Sequence, residues 1–195
     1  MYGSTTSEFA PIAADADDLH GKAIELIHSR GYERREQPFK LASGQMSHDY
    51  VDGKFAVDTG ERLRLVSEAV VALAASREMH FTAVGGLTMG ADALAHGVAL
   101  VSGSPWFAVR KEPKSRGREQ WIEGTRLTGA DRVLLVDDAV TSGGSIMKAY
   151  ERVVAVGAQV VGVIPMVDRG DAGAELFGEL GVPYAPLASY RDLGI

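Results

Sequence analysis

Residues 132–170, RVLLVDDAVTSGGSIMKAYERVVAVGAQVVGVIPMVDRG, decide the fold. The run 132–138 is apolar until it closes on Asp137 and Asp138, a turn of small residues follows, 144–158 has a helical apolar pattern, and 160–170 is apolar again. Two continuously apolar strands joined through a helix lie parallel and are buried on both faces, because the crossover places a helical layer over the sheet. The same alternation extends outward. Upstream, 61–79 reads as helix, 81–86 as strand, 89–101 as helix and 106–111 as strand; downstream, 172–181 reads as helix and 184–189 as a last strand. The expected fold class is α/β, an open, mostly parallel twisted sheet with helices on both faces.

Nearer the N-terminus, Leu19, Ala23, Leu26 and Ile27 share one helical face over 19–31, with Asp17 and Asp18 preceding it and Gly31 as a stop. Turn residues and partial alternation over 39–58 predict short strands or a hairpin around Ser43–Gly44. The 195 residues suffice for one large domain over 19–195, with 1–18 as a disordered acidic extension. That extension carries four acids and no Lys or Arg, opposite to a signal peptide, and no apolar run approaches a bilayer span. The chain has no cysteine, which fits a reducing cytoplasm and excludes disulfides and thiolate chemistry. Its five histidines lack ligand spacing, and a net charge of −6 argues against nucleic acid or anionic membrane as partner. An anion site must therefore be local.

In sheets of this kind ligands sit outside the carboxyl ends of the strands, so four strand exits matter. At the exit near Asp137, the turn Ala139, Val140, Thr141, Ser142, Gly143, Gly144, Ser145 leads into a helix. Its N–H groups and three hydroxyls can converge on a phosphate at the positive helix end. Asp137 and Asp138 suit neutral hydroxyls instead, since a carboxylate only accepts and a vicinal diol donates twice. Diol beside phosphate describes a ribose 5-phosphate; a plain loop capped by Asp138 is the competing reading. At the exit near Gly85, the turn Gly86, Leu87, Thr88, Met89 is either a second anion site or a tight turn for helix–sheet packing. The exit at Arg110 opens RKEPKSRGREQWIEG, where Arg110, Lys111, Lys114, Arg116 and Arg118 meet one acid, Glu112, within nine residues. That segment reads as a mobile flap for a pyrophosphate, or as a solvated charged loop. At the last exit, Arg169 could grip a carboxylate bidentately or pair with Asp168 or Asp171.

Together these exits resemble the type I phosphoribosyltransferases, whose donor-binding signature VLLVDDAVTSGGS matches, and more narrowly the orotate-using branch. That branch is matched through FKLASGQMSHDYVDGK, AVGGLTMGAD, VRKEPKSRGREQWIEG and VVDR, in order, over about 19–195. The resemblance implies a small N-terminal hood over about 19–58 and a core over about 59–195. It implies transfer of phosphoribose from phosphoribosyl pyrophosphate to orotate with Mg²⁺ held through the substrate. Asp137 and Asp138 would take the ribose hydroxyls and 141–145 the 5-phosphate. Gly86–Met89 would take pyrophosphate, with Arg110, Lys111 and Lys114 closing over it. Lys114 would carry the largest catalytic role, with Arg116 beside it. Arg169, Thr141 and Phe39 would hold orotate, and a homodimer would share flap 110–118 between subunits. Arg116 stands where many relatives have histidine, and Ala42 and Met89 where lysines are common; Lys54 or a flap cation would compensate. A different nucleobase as acceptor, or donor sensing without turnover, are the rival functions.

Overall fold

The computed structural model describes residues 16–40, 44, 46–114 and 120–195. Of the expected disordered extension over 1–18, positions 1–15 lie outside the described residues, and 16–18 are helical instead. Helix α1, Ala16–Gly31, starts ahead of Asp17 and Asp18 rather than after them. Both acids lie in its first turn, where they complement the positive helix end as His28 and Arg30 complement the other. Leu19, Ala23 and Ile27, spaced by four, form its buried stripe.

The hairpin is present as β1, Tyr32–Lys40, antiparallel to β2, Met46–Val51, with a register shift between Arg34 and Phe39. A short turn of helix follows that the sequence reading did not anticipate: α2, Gly53–Ala56, capped by Asp52, whose side chain accepts from Lys54 N. Thr59 then caps α3, Gly60–Ser76, through Arg62 N.

The main sheet is built from β3, Ala83–Leu87; β4, Trp106–Val109; β5, Ile122–Gly124; β6, Arg132–Val140; β7, Gln159–Asp168; and β8, Ala188–Ser189. Their order is β5-β4-β3-β6-β7-β8, with every pair parallel except β4–β5. The open α/β expectation holds. Helix α4, Asp92–Ser102, links β3 to β4, α5, Gly144–Ala155, links β6 to β7, and α6, Ala172–Glu179, precedes β8. Along β6 the side chains alternate between two layers. Leu134 and Val136 join Ile27, Val66 and Leu94 of α1, α3 and α4, whereas Val133 and Leu135 join Ile146, Val153 and Phe177 of α5 and α6. Burial on both faces is why this strand is apolar from Val133 to Val136, ahead of its acids.

Three boundaries differ from expectation. β6 does not stop at the acids but carries Asp137 and Asp138 within its ladder, pairing to Val140 against Asp168 of β7. The last strand shrinks to two residues, although Ala185 N and Leu187 N bond to Val163 O and Pro165 O of β7; Pro186 between them would direct an N–H only to the open sheet edge. The polar stretch after β4 contains β5, so the flap is the far end of a hairpin whose root is closed by Arg110 N to Trp121 O and Lys114 N to Gln120 O.

Candidate functional site

The chain leaves β3 for β4 on one side and returns to β6 on the other, so the carboxyl ends of β3 and β6 part at a switch in strand order. A crevice there is the ligand position such sheets favour. Asp137, 4% exposed, and Asp138 line it from β6. Gly90 closes it from the β3 side: a Cβ there would stand 2.6 Å from Asp137 Oδ1 and 2.7 Å from Asp138 Oδ1, so only glycine leaves both carboxylates in place. Gly86 is wedged in the same way between Val136 O and the Ala91 methyl.

Burial, and then the charge of Asp138, push the Asp137 carboxyl up to about 7. Its Oδ1 accepts from Asp138 N at 3.0 Å, and Asp138 Oδ1 accepts from Ala139 N at 2.9 Å. The other oxygen of Asp138 lies 2.7 Å from Lys54 Nζ, which is also 3.0 Å from Asp52 Oδ1. Partial burial works to lower the Lys54 pKa, but hydrogen bonds to Asp138 and Asp52 outweigh it and hold the ammonium above its ordinary value.

Beyond the acids, Thr141 to Ser145 wrap a concavity of about 90 Å³. Gly143 sits at φ 75 and starts α5 without any side-chain cap, so the N–H groups of the first turn point outward uncommitted to a cap. A phosphate monoester is the group such an end holds. Val140 and Leu87 are buried in the core and can offer a ligand only backbone. In the Gly86–Met89 turn, Thr88 Oγ1 donates to Asp92 Oδ2 at 2.7 Å, the Thr88–Met89 peptide is cis, and Met89 is 71% exposed.

The flap cations are held elsewhere. Arg110 Nη1 and Lys114 Nζ lie 3.4 Å and 3.7 Å from Glu123 Oε1 on β5, and Lys111 is exposed. Arg116 and Ala42 fall outside the described residues. Glu123 was missed because a count of charges along the flap ends before it; only the hairpin brings it back to Arg110.

Arg169 pairs with neither Asp168 nor Asp171. Its Nη2 donates to the Asp49 carbonyl of β2 at 2.5 Å, across the gap between core and hood, and burial lowers its pKa. Phe39 meets Tyr50 edge-on at 5.5 Å, with the Arg35 guanidinium over both rings. Asp168 instead accepts from Tyr184 OH at 2.6 Å and from Gly170 N at 3.2 Å. Burial raises its pKa and that of Tyr184. Tyr184→Phe leaves this buried carboxyl one partner short and is expected to cost about 1–3 kcal/mol of stability, read from urea midpoints. An unchanged midpoint would show the bond to be dispensable.

Among the described residues no group of three acids or histidines could cage a metal, and no helix is long and apolar enough to cross a membrane. Two adjacent carboxylates beside a phosphate turn do fit Mg²⁺, which takes most of its ligands from water and phosphate oxygens.

Comparison with models of protein families finds no match. Individual proteins do match. The orotate phosphoribosyltransferase of Nostoc sp. is 34% identical over 192 residues, covering 96% of this chain and 91% of the relative. That of Aquifex aeolicus is 38% identical over 178 residues, covering 88% and 96%. Among solved structures, the orotate phosphoribosyltransferase of Mycobacterium tuberculosis H37Rv in complex with 5-phospho-alpha-D-ribosyl 1-diphosphate aligns with a TM-score of 0.75 and 32% identity, covering 91% of this chain and 99% of that one.

Proposed function

This chain belongs to the orotate phosphoribosyltransferases, and from that premise we propose which of its residues carry the reaction. The reaction joins orotate to phosphoribosyl pyrophosphate, giving orotidine 5'-monophosphate and pyrophosphate, a step of pyrimidine biosynthesis. The observation that carries the assignment is the pair Asp137 and Asp138 lying in β6 directly before the uncapped start of α5. That adjacency supports a reading of the carboxylates as partners of a ribose diol and of the bare N–H groups as partners of its 5-phosphate.

The diphosphate then lies toward Gly86–Met89, a turn that packs directly against β6 because Gly86 and Gly90 have no side chains. As the bond to pyrophosphate breaks, positive charge grows on the sugar and negative charge on the leaving oxygens. Asp137 and Asp138 face the first; Arg110, Lys111, Lys114 and Arg116 answer the second. Asp137 and Asp138 are the carboxylates beside which Mg²⁺ would be held, and the ion would supply neutralisation of the leaving group's charge. Lys114 rests beside Glu123 on its own hairpin, and, as the family resemblance implies, we propose that it serves a neighbouring subunit's site in a homodimer. Arg169, Thr141, Phe39 and Lys54 line the acceptor side. A reducing cytoplasm suits the cysteine-free chain.

A donor-dependent assay following orotate disappearance, with Mg²⁺ withheld as control, tests the reading; donor consumption with another nucleobase but not with orotate would overturn it. Arg169→Ala is expected to weaken orotate binding about ten- to a hundredfold, the cost of one charge-assisted contact, with donor affinity nearly intact. Unchanged orotate affinity by calorimetry would remove Arg169 from the acceptor site.

A further inference from the structure

One cation touches both halves of the site. Lys54 follows the hood hairpin directly, and its aminium end bridges Asp138 Oδ2 at 2.7 Å and Asp52 Oδ1 at 3.0 Å. Asp52 is fixed in place, because its Oδ1 also caps α2 through Lys54 N and its Oδ2 receives Tyr50 OH at 3.4 Å. Gly53 lets this segment down onto β6: a Cβ there would stand 3.0 Å from the Asp138 carbonyl oxygen.

Asp138 has two oxygens, and both are committed. Oδ1 is turned to the strand backbone at Ala139 N, and Oδ2 lies under Lys54. A sugar hydroxyl that uses Asp138 must therefore compete with the ammonium for the outward oxygen. Displaced from it, the half-exposed Lys54 stays anchored beside Asp52 at the end of β2, the strand whose Asp49 carbonyl holds Arg169 on the core side. Lys54 and Arg169 are thereby both tied to one short segment, Lys54 at Asp52 just past β2 and Arg169 at Asp49 within it.

We propose that Lys54 couples the two substrates: it covers Asp138 until the ribose hydroxyls take that oxygen, and is thereby released to the anionic acceptor. This rests on the placement of the ribose diol at Asp137 and Asp138. The coupling follows because one ammonium cannot satisfy both anions at full strength, so whichever ligand relieves it of Asp138 raises affinity for the other, reciprocally.

Ribose 5-phosphate carries the diol and the phosphate but no leaving group, so it occupies the donor site without turnover. Orotate is titrated calorimetrically into the protein alone and with saturating ribose 5-phosphate. Wild type is expected to bind orotate about fivefold more tightly, or better, when the sugar is present, within the usual span of such couplings. Lys54→Met should abolish that difference while binding ribose 5-phosphate at least as tightly as wild type, and Lys54→Arg should keep it; thermal melts confirm that each variant is folded. A purely structural Lys54 would weaken both ligands together. Undiminished coupling in Lys54→Met, or weaker sugar binding, overturns the role of Lys54 alone. Failure of wild type to bind ribose 5-phosphate at all overturns the diol assignment beneath it.

Discussion

Lys114→Ala is expected to lower turnover by about 10²-fold or more while changing donor affinity far less, the pattern for losing one preorganised charge that acts on the transition state. The reason lies in timing. Negative charge builds on the pyrophosphate oxygens as the bond to the sugar breaks, so a cation brought over them at that moment stabilises the transition state more than the ground state. Before that moment Lys114 lies 3.7 Å from Glu123 on the same hairpin, which keeps the cation near the flap root. Steady-state kcat and donor KM check the expectation, and wild-type kinetics in the variant would refute the role. If the flap serves a neighbouring subunit, mixing Lys114→Ala subunits with Asp138→Asn subunits should restore activity, since a hybrid dimer then holds one site with intact acids and an intact flap. No recovery in the mixture would place the flap over its own subunit's site.

Asp137→Asn should produce two opposed effects, a large loss of turnover and a gain in stability at alkaline pH. Burial first, and the Asp138 charge second, raise the folded-state value of Asp137 from the ordinary 3.8 to about 7. A raised value means that the folded protein holds the proton more tightly than the unfolded chain. The stabilising contribution is therefore fully present below about 3.8 and is lost as pH rises through about 7. Asparagine cannot ionise, so the variant should unfold at higher urea than wild type at pH 8, with the advantage shrinking toward pH 5. Turnover should fall about 10²-fold, because a carboxylate facing the sugar's developing positive charge is gone. Equal midpoints for both proteins across that pH range would sink the stability half, and near-normal turnover the catalytic half.

Much of the donor site was legible in one stretch of chain because its parts are contiguous. Asp137, Asp138 and the turn 141–145 belong to a single strand–turn–helix, and local sequence suffices to place them together. The acceptor side was less legible. Arg169 reads from the sequence as a grip for a carboxylate or as an ion pair with an adjacent acid, and in the structure it donates to a carbonyl 120 residues away. Lys54 was singled out for its charge, but its hold on Asp138 spans 84 residues and passes through a four-residue helix with no periodicity to detect. Glu123 escaped notice for a similar reason, since β5 has only three residues and its pairing with β4 depends on the hairpin closing.

The sequence by itself determined the layer architecture and the local order of residues in the proposed donor site. Apolar strands, helical spacing and the order acid, acid, small turn are local properties that hold wherever the chain lies. Tertiary structure alone decided the pairing of charges: which oxygen of Asp138 is covered, where Lys114 rests, and why the pKa of Asp137 is raised. Those outcomes depend on distances between distant segments and on burial, and both quantities come into being only when the sheet closes against its helices and the N-terminal hairpin settles near the ends of β6 and β7.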